Sequence, residues 1–274
     1  RTARSTGTVA AHPNRMTSAA APCVLLVEDD TSITRFVAMA LDQLPIELLT
    51  CASVPAAVAL LEQRDIQLVI TDLMLPGESG ISLVQRLSAN PQLRGDTLVA
   101  VFSAGLTPAV KEQLQGMDLW RVLSKPIAVQ ELESCVRDAL ALHALPEADT
   151  NTATAALQPS PTNPAAKPAP ATNTAETLAI ATHFGGDAQL FTTYRAACLE
   201  QFAADVQAGD AAAQAHDWPA LRRLAHSLAT VLLTLGRPQD SLVARALEDA
   251  AAVADAATCS SGWSDLRQRL AMLN

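Results

Sequence analysis

The chain has 274 residues, of which 49% are hydrophobic, 17% charged and 3% aromatic, and its formal net charge is −9. This length accommodates about two domains of ordinary size. Both halves are acidic, which argues against a nucleic-acid-binding output, because such proteins carry a clustered basic face. No apolar run approaches the roughly 18 residues that a membrane span needs, so we expect no membrane contact by this chain itself.

The cysteines and the first residues indicate the cellular compartment. Five cysteines are scattered along the chain without a CxxC pair or a metal-binding spacing, as expected for reduced thiols of a cytoplasmic protein. The first residues lack the apolar core of a secretory signal. The chain begins at Arg1, and we expect a fragment of a longer protein, with membrane or kinase parts upstream.

Four segments of different composition follow one another. Residues 1–21 are polar and without periodicity, which predicts a flexible lead-in. Residues 22–144 alternate apolar runs with helical patterns, residues 145–174 form a Pro-, Ala- and Thr-rich linker, and residues 175–274 show helical periodicity alone. We therefore predict two folded domains whose flexible linker lets them touch and separate.

The first domain contains five apolar runs, each followed by a helical pattern. The predicted strands cover residues 23–27, 46–51, 66–71, 97–102 and 121–123. Thr31 or Ser32 can cap the first helix, and the predicted later helices cover residues 54–62, 81–87, 107–115 and 129–143. Strands that alternate with helices are typical of a doubly wound, five-stranded parallel sheet, an α/β fold.

Polar side chains follow four of these strands. They are Glu28, Asp29 and Asp30 after the first, Asp72 after the third, Ser103 after the fourth and Lys125 after the fifth. The carboxyl ends of parallel strands share one edge of the sheet, where ligands bind. Clustered carboxylates repel one another and need a cation, and oxygen ligands select Mg²⁺ over zinc. A hydroxyl and a lysine beside them suit phosphoryl oxygens.

Each of these residues also has a structural explanation when it is taken alone. Asp72 could cap a helix or begin a turn, and the acidic run could favour a helix dipole. Ser103 could be a turn serine and Lys125 a surface lysine. Their joint placement at four strand ends favours phosphoryl chemistry, with Asp72 as the nucleophile.

Four motifs closely resemble the receiver domain of bacterial response regulators, the CheY-like fold. They are Val27-Glu28-Asp29-Asp30, Thr71-Asp72-Leu73-Met74-Leu75-Pro76-Gly77, Ser103-Ala104 and Ser124-Lys125-Pro126. The resemblance implies that Asp72 is the phosphoacceptor, and that Mg²⁺ binds to Glu28, Asp29, Asp72 and the main-chain carbonyl of Met74. It also implies that Ser103 and Lys125 bind the phosphoryl group or the carboxylate, and that the Lys125-Pro126 bond is cis. Val122 stands where the family usually has an aromatic switch residue.

The second domain is predicted to be an all-α, up-and-down helical bundle. Its predicted helices cover residues 178–183, 187–206, 217–236, 241–255 and 262–273. Leu221, Leu224, Leu228 and Leu232 form the buried stripe of the third. His226 falls off that stripe, which predicts an exposed imidazole that can act as a nucleophile near neutral pH. A lone helical histidine is usually a plain surface residue.

The surroundings of His226 resemble a histidine phosphotransfer (HPt) domain. The family spacing of His-x-Leu and then glycine ten residues after the histidine is met by His226, Leu228 and Gly236. Ala229 and Thr230 stand where the family commonly has lysine and glycine. We hypothesise that Arg222 or Arg223, one turn earlier, supplies the missing cation.

A receiver followed by an HPt bundle resembles the end of hybrid sensor histidine kinases. This order implies that a kinase phosphohistidine donates to Asp72, which passes the phosphoryl group to His226 and on to a downstream response regulator. No ATP-binding kinase motif is visible in the sequence. Two alternatives are a non-catalytic receiver that only docks, joined to a degenerate bundle, and an aspartate-nucleophile phosphatase. The phosphatase needs a second acid two residues after the nucleophile, where Met74 stands.

Overall fold

The structure is a computed structural model that describes residues 21–104, 112–144 and 174–273. The predicted lead-in lies outside these residues, except Ala21, and so does the linker, except Thr174. The same holds for most of the predicted fourth helix, of which residues 112–114 are described and helical.

The predicted parallel sheet is confirmed. Its strands are β1 (Cys23–Val27), β2 (Glu47–Cys51), β3 (Leu68–Asp72), β4 (Leu98–Ser103) and β5 (Arg121–Ser124). They pair in parallel in the order β2-β1-β3-β4-β5. In this doubly wound order the chain reverses direction across the sheet between β1 and β3, which opens a crevice at their carboxyl ends.

Five described helices accompany the sheet. They are α1 (Thr31–Leu41), α2 (Val54–Gln63), α3 (Gly80–Ala89), α4 (Pro91–Arg94) and α5 (Val129–Ala144). The predicted cap of α1 was wrong by one residue: Asp30 has extended backbone angles, and its side chain accepts a hydrogen bond from the Ile33 amide. The short α4 was not predicted, and it starts where Asn90 accepts a hydrogen bond from the Leu93 amide.

Residue alternation along the strands divides the core of this domain between two faces. Leu26 and Ile70 belong to the cluster that packs with α1 and α5. Val27 and Val69 belong to the cluster that packs with α2 and α3. The central strands β1 and β3 are buried along their whole length, as expected for a sheet covered on both faces.

The C-terminal region is a bundle of five helices, as predicted. They are α6 (Thr174–His183), α7 (Ala188–Ala215), α8 (Trp218–Thr234), α9 (Pro238–Ala252) and α10 (Ala256–Ala271). The predicted bounds were wrong in four places: α6 and the last two helices begin earlier than predicted, and α7 continues past the predicted end at residue 206. Pro238 occupies the first turn of α9, and Asp255 caps α10. No helix in the described ranges is both long enough and apolar enough to cross a membrane.

The bundle packs against α1 of the α/β domain. Phe36 of α1 meets Phe184 and Tyr194 edge-on, with ring centroids 5.6 and 5.4 Å apart. Arg35 donates a hydrogen bond of 3.2 Å to the carbonyl of Ala197 on α7. One apolar cluster therefore runs from the α1 face of the sheet into the bundle. We call this contact the docking seam.

Replacing Phe36 with alanine should separate the two domains. The side chain is 6% exposed, and truncating a buried phenylalanine costs about 3–5 kcal/mol. Part of that cost falls on the docking seam, because Phe36 supplies the ring that both bundle aromatics contact. Small-angle X-ray scattering of the full chain should show a larger radius of gyration for Phe36→Ala.

Val84→Ala is the matched control, because Val84 is buried in the cluster on the other face of the sheet. This variant should unfold at a lower temperature and keep the wild-type scattering profile. Identical scattering from Phe36→Ala and the wild type would show that Phe36 does not hold the domains together.

Candidate functional site

Asp72 is the last residue of β3 and is 2% exposed. Its Oδ1 accepts a hydrogen bond of 2.6 Å from the Leu73 amide, which holds the carboxylate at the strand end. A Cβ on Gly80 would lie 1.8 Å from the Asp72 carbonyl oxygen, so only glycine lets the start of α3 approach this closely. The predicted nucleophile therefore sits in a rigid backbone setting.

Lys125 forms ion pairs with two of the predicted acidic residues, Glu28 and Asp72. Its Nζ lies 2.6 Å from Glu28 Oε2 and 3.1 Å from Asp72 Oδ2, and none of the three side chains is more than 3% exposed. The Lys125 amide donates to the Ser103 carbonyl, and the Lys125-Pro126 peptide bond is cis, as expected. The ends of β1, β3 and β5 thus converge on one buried ion cluster.

The acidic side chains form a potential cation site at the same place. One ligand oxygen from each of Glu28, Asp29 and Asp72 lies within 4.8 Å of the others. Glu28 and Asp72 are buried and Asp29 is half-buried. An open depression lined by Glu28, Asp29 and Cys51 leads to this cluster from the surface.

Burial and mutual repulsion shift the pKa values of this cluster. Burial, with a smaller contribution from Asp72, raises the pKa of Glu28 to about 8, although the charge of Lys125 acts in the opposite direction. Burial and Asp72 also raise the pKa of Asp29. Burial lowers the pKa of Lys125, but Glu28 and Asp72 outweigh it and raise that pKa overall. Burial therefore favours the protonated forms of Glu28 and Asp29, whereas Lys125 stays charged.

The remaining predicted residues lie at the same edge. Ser103 ends β4, is buried, and pairs in register with Ser124 of β5. Met74 follows Asp72 by two residues in the loop after β3 and is half-buried. Val122 of β5 is 38% exposed, so the position of the missing aromatic residue lies at the surface.

His226 is not exposed, and this prediction was wrong. The residue is 7% exposed and lies within α8, and its Nδ1 is 2.8 Å from Oε1 of Glu248 on α9. Its Nε2 is buried without a hydrogen-bond partner in the described part of the chain. The leucine stripe accounts for one side of α8 only, whereas α9 and the docking seam cover the other side.

Two residues near His226 were missed by sequence reasoning. Glu248 accepts from His226, and Arg245 Nη1 is 2.7 Å from Glu248 Oε2 and 3.4 Å from His226 Nδ1. Despite burial, the contacts with His226 and Arg245 lower the pKa of Glu248. The turn at Gly236 could have indicated both residues. Two helices joined by a short turn run antiparallel, so residues at similar distances before and after the turn face each other.

His226 lies close to the carboxyl edge of the sheet. Ser227, the next residue, is near enough to Asp30 to lower the pKa of its carboxyl, which burial raises overall, and Arg245 Nη2 is 3.5 Å from the carbonyl oxygen of Ala104. Thr230, one turn after His226, lines a narrow cavity together with Phe102 of β4. The bundle therefore presents the histidine side of α8 to the strand ends that carry the ion cluster.

The hypothesised cations Arg222 and Arg223 are not brought to His226. Arg222 is exposed and Arg223 is half-buried. Within the described ranges, no hydrogen bond or ion pair joins either guanidinium to the imidazole. Their position one turn earlier puts them on the same helix, but Arg245 of the neighbouring helix occupies the place beside the ring.

The sheet order, the buried lysine and the acidic cluster define the class of the first domain. Residues 24–137 match the family described as response regulator receiver domain. The α/β domain is therefore a receiver domain of a two-component system, as the motifs predicted.

Individual relatives extend this comparison. The chain is 30% identical over 212 residues to the virulence sensor protein BvgS of Bordetella pertussis, a match that covers 75% of this chain and 16% of that protein. The chain thus spans about one sixth of that relative. It is 31% identical over 113 residues to the phosphate regulon transcriptional regulatory protein PhoB of Pseudomonas aeruginosa, covering 40% of this chain and 47% of that one.

Among solved structures, the signal receiver domain of an HD domain-containing protein from Pseudomonas fluorescens Pf-5 is 28% identical, with a TM-score of 0.43. That match covers 47% of this chain and 93% of the other.

Without metal, the free energy of unfolding should fall as the pH rises from about 5 to about 8. Glu28 has a pKa of about 8 in the folded chain and a pKa near its ordinary value of 4.5 in the unfolded chain. In this window the folded state therefore binds the additional proton, and raising the pH favours unfolding, by up to about 1.4 kcal/mol per pH unit. Urea titrations in a chelating buffer measure this slope.

Glu28→Gln should flatten the dependence, because the amide does not titrate. The exposed Glu62→Gln serves as the control and should keep the wild-type slope. Equal slopes in the wild type and Glu28→Gln would show that Glu28 does not hold the proton.

Proposed function

We propose that this chain is a phosphorelay protein. A phosphohistidine of a sensor histidine kinase donates a phosphoryl group to Asp72, His226 receives it from Asp72, and a downstream response regulator receives it from His226. The observation that carries this proposal is that the neighbours of His226 face the receiver: Arg245 contacts both the imidazole and the carbonyl of Ala104, and Thr230, one turn after His226, lines a cavity together with Phe102. The match to the BvgS sensor protein, which is longer than the receiver match, also supports it. We place this activity in the cytoplasm.

The receiver half of the proposal requires a divalent cation. The oxygen donors of Glu28, Asp29 and Asp72 fit Mg²⁺ because they are close together, and because a cation would relieve the repulsion by Asp72 that contributes to the raised pKa values of Glu28 and Asp29. The Met74 main-chain carbonyl is the fourth proposed protein ligand. When bound, Mg²⁺ would offset the charge that phosphoryl oxygens add to this acidic edge.

Asp72 acts as the first nucleophile. One of its carboxylate oxygens attacks the phosphorus of the donor, a new P–O bond forms, the P–N bond of the donor phosphohistidine breaks, and the donor imidazole leaves with the electron pair. The Lys125 ammonium, 3.1 Å from Asp72 Oδ2, stabilises the phosphoryl oxygens together with the Ser103 hydroxyl.

His226 acts as the second nucleophile. Glu248 holds the proton on Nδ1, which leaves a lone pair on Nε2, the ring nitrogen without a partner. Nε2 forms a bond to phosphorus while the P–O bond to Asp72 breaks and the carboxylate leaves. The ring becomes cationic as this bond forms, and the Glu248 carboxylate stabilises the charge, as the acid does in a Ser-His-Asp triad.

The covalent tether favours the internal step. Because both groups belong to one chain, the second transfer is intramolecular and benefits from a high effective concentration. The docking seam orients the histidine side of α8 towards the receiver edge, which supplies the orientation that transfer requires.

A docking module without transfer is the second candidate. Thr230 in the seam and the burial of His226 favour it, because both restrict access to Nε2. In that case Asp72 accepts phosphoryl groups and His226 does not. A phosphatase is not proposed, since Met74 stands where its acid would be.

Labelling with a small acyl phosphate and Mg²⁺ tests the relay. Wild-type protein should first carry a base-labile label on Asp72 and then a base-stable, acid-labile label on His226. Asp72→Asn should lose both labels, and His226→Gln should accumulate the first label only. A chelator should suppress both in the wild type. Mass spectrometry of acid- and base-quenched samples distinguishes the label on Asp72 from the label on His226.

Two outcomes contradict the relay. A base-stable label that persists in Asp72→Asn would show that His226 is not served by Asp72. A wild-type chain that labels only Asp72 would favour the docking module instead.

Glu248→Ala should slow the appearance of label on His226 by at least about tenfold, because the ring loses its tautomer control and the partner of its developing charge. Labelling of Asp72 should remain at the wild-type rate. The control is Asp249→Asn, which changes an exposed acid on the same helix. Equal rates of label transfer in Glu248→Ala and the wild type would remove Glu248 from the mechanism.

A further inference from the structure

We propose that Arg245 is the phosphoryl-binding residue of the bundle, and that its guanidinium holds the phosphoryl group as it passes between Asp72 and His226. This inference rests on the proposed relay. It names the residue that replaces the family lysine, whose position is taken by Ala229.

The bundle offers few cations from which to choose. No lysine follows Lys167, so any cation for phosphohistidine within the bundle has to be arginine. Four of its seven arginines pair with acids away from His226; these pairs are Arg195–Glu176, Arg237–Asp240, Arg267–Asp210 and Arg269–Asp265. Of the other three, Arg245 is the one whose guanidinium contacts the imidazole.

Arg245 also reaches across the docking seam. Its Nη2 lies 3.5 Å from the carbonyl oxygen of Ala104, the residue after Ser103, while Nη1 pairs with Glu248. The same guanidinium therefore contacts both the receiver strand end and the histidine ring, the latter at Nδ1. A phosphoryl group in transit has to cross the space between those two places.

The chemistry of arginine fits this position. A guanidinium presents several N–H donors in a planar fork that matches phosphoryl oxygens, and it stays protonated throughout. The contact with the Ala104 carbonyl is long and joins a cation to a neutral acceptor, so phosphoryl oxygens would replace it with a stronger, charge-assisted bond. The side chain is 31% exposed, which leaves it room to move.

Arg245 therefore has two roles that can be separated by experiment. It holds Glu248, and through it the ring tautomer, and it binds the phosphoryl group directly. Removing a hydrogen-bond donor that binds the reacting group directly costs about 10²–10³-fold in rate in well-studied enzymes. Direct binding would stabilise phosphohistidine even in the absence of Glu248, which an effect exerted through Glu248 cannot do.

The test uses the full chain, labelled with a small acyl phosphate and Mg²⁺. Arg245→Gln should label Asp72 at the wild-type rate and slow the transfer to His226 about 100-fold. At equilibrium the phosphoryl partition should shift towards Asp72. Arg245→Lys should recover part of the transfer rate and part of the wild-type partition, because lysine keeps the positive charge but lacks the planar fork of N–H donors. Arg222→Gln, on the helix of His226, is the control and should match the wild type.

A double-mutant cycle separates the two roles. If Arg245 binds the phosphoryl group, Arg245→Gln should still reduce transfer and shift the partition in a Glu248→Ala background. An effect that vanishes in that background overturns the proposal and leaves Arg245 a positioning residue for Glu248. Scattering measurements on Arg245→Gln should match the wild type, and separated domains would also overturn it.

The outcomes distinguish this proposal from the relay. If wild-type His226 is labelled and Arg245→Gln retains both the rate and the partition, the proposal for Arg245 fails and the relay stands. If wild-type His226 is never labelled while Asp72 is, both fail.

Discussion

The charge balance at the carboxyl edge of the sheet is the constraint on which the rest depends. Lys125 is buried against Glu28 and Asp72, and Asp29 adds a third carboxylate nearby. Charges removed from water need partners, and here one lysine faces three acids. Burial, and to a smaller extent the charge of Asp72, raise the pKa of Glu28. The proposed Mg²⁺ would offset part of the charge of these carboxylates.

The charge balance at this edge also bears on the docking seam. Each phosphoryl group that reaches Asp72 would add negative charge to an edge already short of cations. The bundle places Arg245 beside that edge, while Phe36, Phe184 and Tyr194 supply the apolar contact that holds the domains together. Apolar packing is not directional, and the hydrogen bonds of Arg35 and Arg245 add directional contacts to it. Under the proposed relay, the seam has to open again for a downstream receiver to reach His226.

Local patterns in the chain predicted the receiver well. Apolar runs predicted five strands to within about two residues, because a strand buried on both faces has few polar residues. The polar residues after those runs identified Asp72, Glu28 and Lys125, because parallel strands end at one edge. The cap of α1 was harder, since Asp30 and Thr31 are both good capping residues and only the backbone angles choose between them.

The sequence by itself predicted two domains, a doubly wound parallel sheet in the first, the polar residues at its carboxyl edge and His226 as a candidate phosphoacceptor. Tertiary structure alone decided that His226 is buried, that Glu248 and Arg245 surround it, and that α1 carries the bundle. These contacts join residues far apart in the chain, and periodicity reports which side of a helix is apolar but not what covers the other side. Only the packing of α8 against α9 and the receiver brings those groups together.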